Sequence, residues 1–220
     1  MGKIEKSSGC ISVIGGSDGP TSVFLAGKKK KSLKQRVHKR IFEMRKKRYA
    51  RGIKPGTHTM DEVMNYLTEQ YGMTQMPKDS KTYQMQYDNL KMSFIMQHAP
   101  ELLGEYAKPP TLKSRDEAGI REFQKQLEIR EQKAKEIPDD VFPLDYHIFI
   151  KEDGEIRMEF DVEARFGHIG GGYSGPGKRG KRKFSKMYKD VFRYYGVSEE
   201  DIAQKTRRYT HLLTALAMRD

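Results

Sequence analysis

Between Tyr146 and Val162 the side chains alternate in character on either side of an Asp-Gly pair. Tyr146, Ile148 and Ile150 precede Asp153-Gly154, and Ile156, Met158, Phe160 and Val162 follow it. A period of two puts all four residues of the second run on one face. Asp153-Gly154 would supply the positive φ angles of a type I′ turn, so the pattern predicts an antiparallel hairpin over about 145–164. Two strands alone are marginal in water. Their apolar face must pack on helices or gain another strand, and Ile11 to Ile14 offers one.

Helices are the expected cover. Leu, Ile, Val and Phe make up roughly a fifth of the chain, at the border between folded and disordered compositions. Such a lean core leaves long helices with charged, solvated faces. Thr59 and Glu62 have the spacing of a capping box opening a helix to Tyr71, with Val63, Met64, Leu67 and Tyr71 facing inward. Asp79 can cap a helix towards His98, with Tyr83, Tyr87, Leu90, Phe94 and Ile95 on one side; Pro100 limits it. Ser114 and Glu117 repeat the capping signal before a helix to about Lys135, burying Ile120, Phe123 and Leu127. A closing helix begins at Ser198 and Asp201 and buries Ile202, Tyr209, Leu212, Leu213 and Leu216. The chain is thus expected to be a predominantly helical α+β protein. Its segments are a motif-bearing 1–27, a basic helix and linker over 28–56, a helical region over 57–137, and the hairpin, a glycine-rich loop and C-terminal helices over 138–220.

Charge is concentrated rather than spread. From Lys28 to Arg51, thirteen lysines and arginines face Glu43 alone, and this net charge equals the +12 of the whole chain. Leu33, Val37, Ile41 and Met44 recur at three- and four-residue steps, so a helix here carries one narrow apolar stripe on a basic cylinder. Such a field concentrates phosphate polyanions and binds nucleic acid by counterion release. The alternative is a solvated helix whose stripe docks on the body. An anionic membrane surface is a weaker fit, because the stripe is thin and lacks Trp.

A second basic cluster, Lys178, Arg179, Lys181, Arg182 and Lys183, ends the glycine-rich stretch from Gly167. This stretch is expected to be a flexible loop, not a stable helix. Its run from Gly172 to Lys178 fits most of the phosphate-loop pattern, in which backbone amides cradle phosphates. Arg179 stands where that pattern needs a magnesium-holding hydroxyl, and an antiparallel hairpin precedes it where the pattern needs a parallel βαβ unit. The expected contacts with nucleic acid or another polyanion are Lys34, Arg36, Lys39, Arg40, Arg45, Lys47 and Arg48, together with Lys178, Arg179, Lys181 and Arg182. All touch phosphate rather than bases.

Ile11 to Gly27 places two apolar flanks around a loop of glycines, one acid and one proline. Asp18, with the hydroxyls of Ser17, Thr21 and Ser22, offers oxygens suited to a small hard cation. A self-bonded Asp-Gly-Pro turn is the plainer reading. The run Gly15-Gly16-Ser17-Asp18-Gly19-Pro20-Thr21-Ser22 resembles the Gly-Gly-Ala-Asp-Gly-Pro-Thr motif of the β subunit of sodium-ion-translocating decarboxylases of the oxaloacetate and methylmalonyl-CoA types. In that family the motif lies in a broken membrane segment, and its aspartate helps carry sodium, coupled to decarboxylation of a carboxybiotin carrier. The resemblance implies Asp18 and Thr21 as sodium ligands. It covers about 17 residues. The rest of the chain has no apolar stretch of about 20 residues to span a bilayer, so the implied role is a divergent or soluble accessory component of such a system.

Other chemistry has little foothold. Cys10 has no internal partner, which points to a reducing, cytoplasmic setting. His38, His58, His98, His147, His168 and His211 form no close zinc-type pairs. Glycines and Pro20 interrupt the N-terminal apolar stretch where a signal peptide needs continuity. No catalytic residue and no cofactor is assigned, with sodium the alternative, and the expected function is a basic binding protein rather than an enzyme.

Overall fold

The hairpin has a strand neighbour at each edge and packs on both faces: Phe149 stands opposite Phe160 and Ile148 opposite Asp161, so Tyr146, Ile148 and Ile150 face away from Ile156, Met158, Phe160 and Val162. The structure is a computed structural model and describes residues 10–16, 19–26, 32–114 and 116–218. The chain divides into two units, Met1–Gly52 and Ile53–Asp220.

The first unit holds strands β1 (Cys10–Gly16) and β2 (Gly19–Ala26), paired antiparallel, and helix α1 (Leu33–Ala50). Ile11 to Ile14 therefore belongs to β1 and pairs with β2, not with the hairpin at 145–164. Ser32 and Gln35 close a capping box on α1: Ser32 Oγ accepts from the Gln35 amide at 3.2 Å and Gln35 Oε1 from the Ser32 amide at 3.0 Å. No α1 residue is buried.

The second unit runs β3 (Gly56–Thr57), α2 (Met60–Tyr71), β4 (Thr74–Gln75), α3 (Lys81–His98), a 3-10 helix (Pro100–Ala107), α4 (Glu117–Glu136), β5 (Tyr146–Asp153), β6 (Ile156–Glu163), β7 (His168–Ser174), α5 (Gly177–Tyr195), β8 (Gly196–Val197), α6 (Glu199–Gln204) and α7 (Arg207–Ala217). With these elements the fold is α+β and predominantly helical. The Thr59–Glu62 capping box opens α2, with Met60, Val63 and Leu67 buried. The cap of α3 is Ser80, not Asp79, and that of α4 is Asp116, not Ser114. In each case a second capping residue lies one or two positions further on, and its side chain reaches the third amide of the helix. Two buried cations tie the helices down. Lys91 of α3 donates to the Ile137 carbonyl and pairs with Asp139, and Arg130 of α4 donates to the Tyr106 and Ala107 carbonyls at the end of the 3-10 helix.

The hairpin forms the centre of a four-stranded antiparallel sheet in the order β4-β5-β6-β7. Asp153 pairs with Ile156, so the two loop residues are Gly154 and Glu155. Only Gly154 takes a positive φ, 63°, which makes the turn type II′ rather than I′. Ile156, Met158, Phe160 and Val162 are all buried, and the Phe160 ring lies 5.4 Å from Phe184 and 5.9 Å from Tyr188 of α5. On β5, Tyr146 and Ile148 cluster with Tyr83 of α3, whose hydroxyl donates to the Tyr146 carbonyl at 2.8 Å. Glu163, at the end of β6, is fully buried. Its carboxylate accepts from the amides of Asp145, Arg165 and Phe166, at 3.0, 3.3 and 2.6 Å, and so replaces its lost hydration.

The stretch from Gly167 to Lys183 is not a loop. It supplies edge strand β7 and the first two turns of α5. The glycines of β7 are there for clearance: a Cβ on Gly170 would overlap the Asp161 carboxylate across the ladder, and one on Gly171 would lie 2.6 Å from the Glu159 carbonyl. Helix α5 forms despite Gly177 and Gly180 because its inward face is continuous. Gly180, Met187, Val191, Phe192 and Tyr195 are buried, with Phe184 and Tyr188 between them. Tertiary burial of such a face outweighs a glycine penalty of about 1 kcal/mol per residue.

The closing helix is also two helices. Lys205 adopts φ 53° and ends α6, and Thr206 caps α7 afresh. Arg208 of α7 then crosses to β3 and β8, donating to the carbonyls of Gly196, His58 and Tyr195 while its guanidinium lies 3.6 Å from the Tyr195 ring.

Candidate polyanion interface

Helices α1 and α5 each carry eight lysines and arginines against one acid, Glu43 in the first and Asp190 in the second. They deploy them differently. On α1 the cations Lys34, Arg36, Lys39, Arg40, Arg45, Lys46, Lys47 and Arg48 fall on every side of the cylinder, at about 100° per residue. Lys34, Arg36, Lys39, Arg40, Lys47 and Arg48 are exposed; Arg45 is half-buried. The apolar stripe is exposed too, with Leu33 at 78% and Met44 at 53%.

On α5 the buried face forces the cations outward. Arg179, Arg182, Lys186, Lys189 and Arg193 follow one another at steps of three and four residues, which sets them in a single row opposite the buried face. At 1.5 Å per residue the row is about 21 Å long. All but the half-buried Lys189 are exposed. Lys178 and Lys181 flank its start and are exposed, while Lys183 is spent on Asp153 at 2.6 Å. The first turn of α5 contains no acid, and Pro176 offers no side-chain cap. Of the expected loop contacts, Arg179 and Arg182 stand in the row and Lys178 and Lys181 beside it. Lys186, Lys189 and Arg193 were missed by reading the stretch as a loop. Their signal was the 3-4 spacing of Phe184, Met187, Tyr188, Val191, Phe192 and Tyr195 beneath them.

The single acid of α5, Asp190, borders the row at Lys186 and Arg193 and is shared with α2. Asp190 Oδ2 accepts from the hydroxyls of Tyr66 and Tyr71, at 2.6 and 2.5 Å. Burial pushes the carboxyl's pKa up, but those two donors and the nearby Arg193 and Lys186 outweigh it and hold it below the usual range. Beside Asp190 the rings of His58, Tyr194 and Tyr66 stack face to face, with centroids 3.9 and 4.0 Å apart and planes within 15° and 6° of parallel. Residues from the β3–α2 connection, α2 and α5 make this pillar, so no local sequence pattern reveals it.

The remaining candidates offer less. Asp18 lies outside the described residues, and Thr21 falls in β2. His168 donates through Nε2 to Asp161 at 3.0 Å, but its Nδ1 is buried without a hydrogen-bond partner, so the free nitrogen of this dyad is turned away from any substrate. A shallow pocket beside α3 is lined by Lys78, Tyr83, Tyr87 and Asp139, whose carboxylate is committed to Lys91. Among the described residues, no helix is long and apolar enough to cross a membrane. Comparison with family models, curated proteins and solved structures gives no match to this chain.

Proposed function

We propose that this protein binds nucleic acid through phosphate contacts made by the basic surfaces of α1 and α5, without reading base sequence. The observation that carries the reading is the row Arg179, Arg182, Lys186, Lys189 and Arg193 on the outward face of α5, at the step of a helix turn. The packing of α5 rests on its inward face, and like charges three and four residues apart on the outward row repel one another, which Asp190 offsets in part at Lys186 and Arg193. A phosphate backbone relieves that repulsion. Helix α1, with Lys34, Arg36, Lys39, Arg40, Arg45, Lys47 and Arg48, adds a second basic segment that carries its charge around its whole circumference. Lys178, Arg179, Lys181 and Arg182 remain the contacts at the start of α5.

Each phosphate engaged contributes about −0.9 to the slope of log affinity against log salt on duplex, and about −0.7 on single strands. Engagement of the α5 row alone gives a slope of about −3.5 to −4.5, a fall of some 100- to 500-fold between about 50 and about 200 mM salt. Fluorescence anisotropy with random-sequence oligonucleotides reads this directly. Lys39→Glu with Arg40→Glu weakens binding, whereas Asp18→Asn leaves it unchanged. A flat salt response refutes the reading. The sodium reading, which rests on the resemblance at Asp18, predicts the reverse: thermal stabilisation by sodium that Asp18→Asn abolishes.

A further inference from the structure

The pillar of stacked rings has no part in holding phosphates, yet it stands against the basic row. Tyr194 follows Arg193 in sequence and lies one turn beyond Asp190, and Asp190 sits among Lys186, Arg193, Tyr66 and Tyr71. At one end Tyr66 also meets Tyr71, with centroids 5.7 Å apart and planes 88° from parallel. At the other end is His58, half-buried between the exposed Thr57 and Thr59, and among the described residues no further ring stacks on it. Its orientation is fixed from two sides: Nδ1 donates to the Tyr194 carbonyl at 2.6 Å, and Arg208 donates to the His58 carbonyl at 3.0 Å.

We infer that the nucleic acid held by α5 is single-stranded, with its phosphates along the cationic row and one base stacked on the outer face of His58. The inference rests on the phosphate-binding reading above and adds the class of nucleic acid. Base-on-ring stacking needs an uncovered base face. A duplex hides its base faces against each other, whereas a single strand offers them beside its phosphates. The ring planes of His58, Tyr194 and Tyr66 are already near parallel, so a base continues an existing stack rather than creating one. Its binding orders no side chain that folding has not already ordered. Because every base has such a face, the mode is consistent with binding that ignores sequence.

Two variants separate the ring from its hydrogen bond. His58→Gln keeps a donor for the Tyr194 carbonyl but has no aromatic face; His58→Phe keeps the face and loses the donor. Binding of the full chain to a short oligonucleotide containing 2-aminopurine is followed by anisotropy and by the quenching that stacking causes, for the single strand and for its duplex. The single strand is expected to bind the unaltered protein at least about tenfold more tightly at matched salt, with quenching. His58→Gln is expected to lose about tenfold on the single strand together with the quenching, and nothing on the duplex, while His58→Phe stays within about threefold. Equal affinity for the two forms overturns the inference, as does a His58→Gln variant that binds and quenches like the unaltered protein. Equal loss in both variants assigns the effect to the hydrogen bond and overturns it as well. Steep, salt-dependent binding that ignores His58 leaves the phosphate reading standing without the stacking; no binding to either form at low salt removes both.

Discussion

His98 and His211 lie where a proton is unwelcome. Burial is the leading cause at both, followed by the charge of Arg207, and each pKa is held below the ordinary histidine value. The native state therefore binds fewer protons than the unfolded chain just below pH 6.5, and stability falls as pH drops through that window. A second loss comes lower. Asp139, held down first by the Lys91 amine, and Asp190 and Asp201, where hydroxyl and amide donors outweigh burial, have depressed pKa values. Their contribution is complete above about pH 3.9 and disappears as pH falls through their native values. Urea midpoints measured against pH should hold level from about 8 to 7, decline below about 6.5, and drop again below about 4. His211→Gln should flatten the first decline and leave the second; a first decline of unchanged depth would show that His211 is not its source. At this scale the sequence was readable where one capping residue stood alone, as at Thr59 and Ser198. It misled where two neighbouring candidates competed, at Asp79-Ser80 and Ser114–Asp116, where the residue nearer the helix makes the capping bond.

Helix α5 shows how composition can hide an element. Three glycines and a proline lie within Gly175–Gly180, and a run of basic residues follows, so the local preferences argue for a loop. The inward face decides otherwise, since it covers the sheet that the hairpin pattern demands. The opposite faces of α5 should therefore respond oppositely to truncation. Met187→Ala truncates a buried side chain on the inward face and should cost about 2–4 kcal/mol in urea unfolding. Lys186→Ala, one residue earlier on the outward face, should change stability by less than about 0.5 kcal/mol while weakening nucleic-acid binding. Comparable losses of stability from both would mean that the helix is not oriented as described. The hairpin itself was legible in the alternation on both sides of Asp153-Gly154, but its register was not, since Phe149 stands opposite Phe160 and the two apolar runs take opposite faces. Its turn type was not, since Asp153 completes the strand and pairs with Lys183 instead of entering the turn.

Across the whole molecule, a chain with so lean a core concentrates sixteen of its 42 lysines and arginines in two helices. One was visible as a charge run; the other needed the fold to align it. The aromatic pillar beside α5 was invisible in the sequence for a further reason, since His58, Tyr66 and Tyr194 come together only through the pairing of β3 with β8 and the packing of α2 on α5. The central claim is that the row on α5 engages phosphates one cation at a time. The direct measurement is the salt dependence of single-strand binding for the unaltered protein and for the triple variant Arg179→Gln, Arg182→Gln, Lys186→Gln. Loss of three phosphate contacts should make the slope of log affinity against log salt shallower by about 2, with the fold intact by circular dichroism. An unchanged slope and affinity in the triple variant would contradict the account.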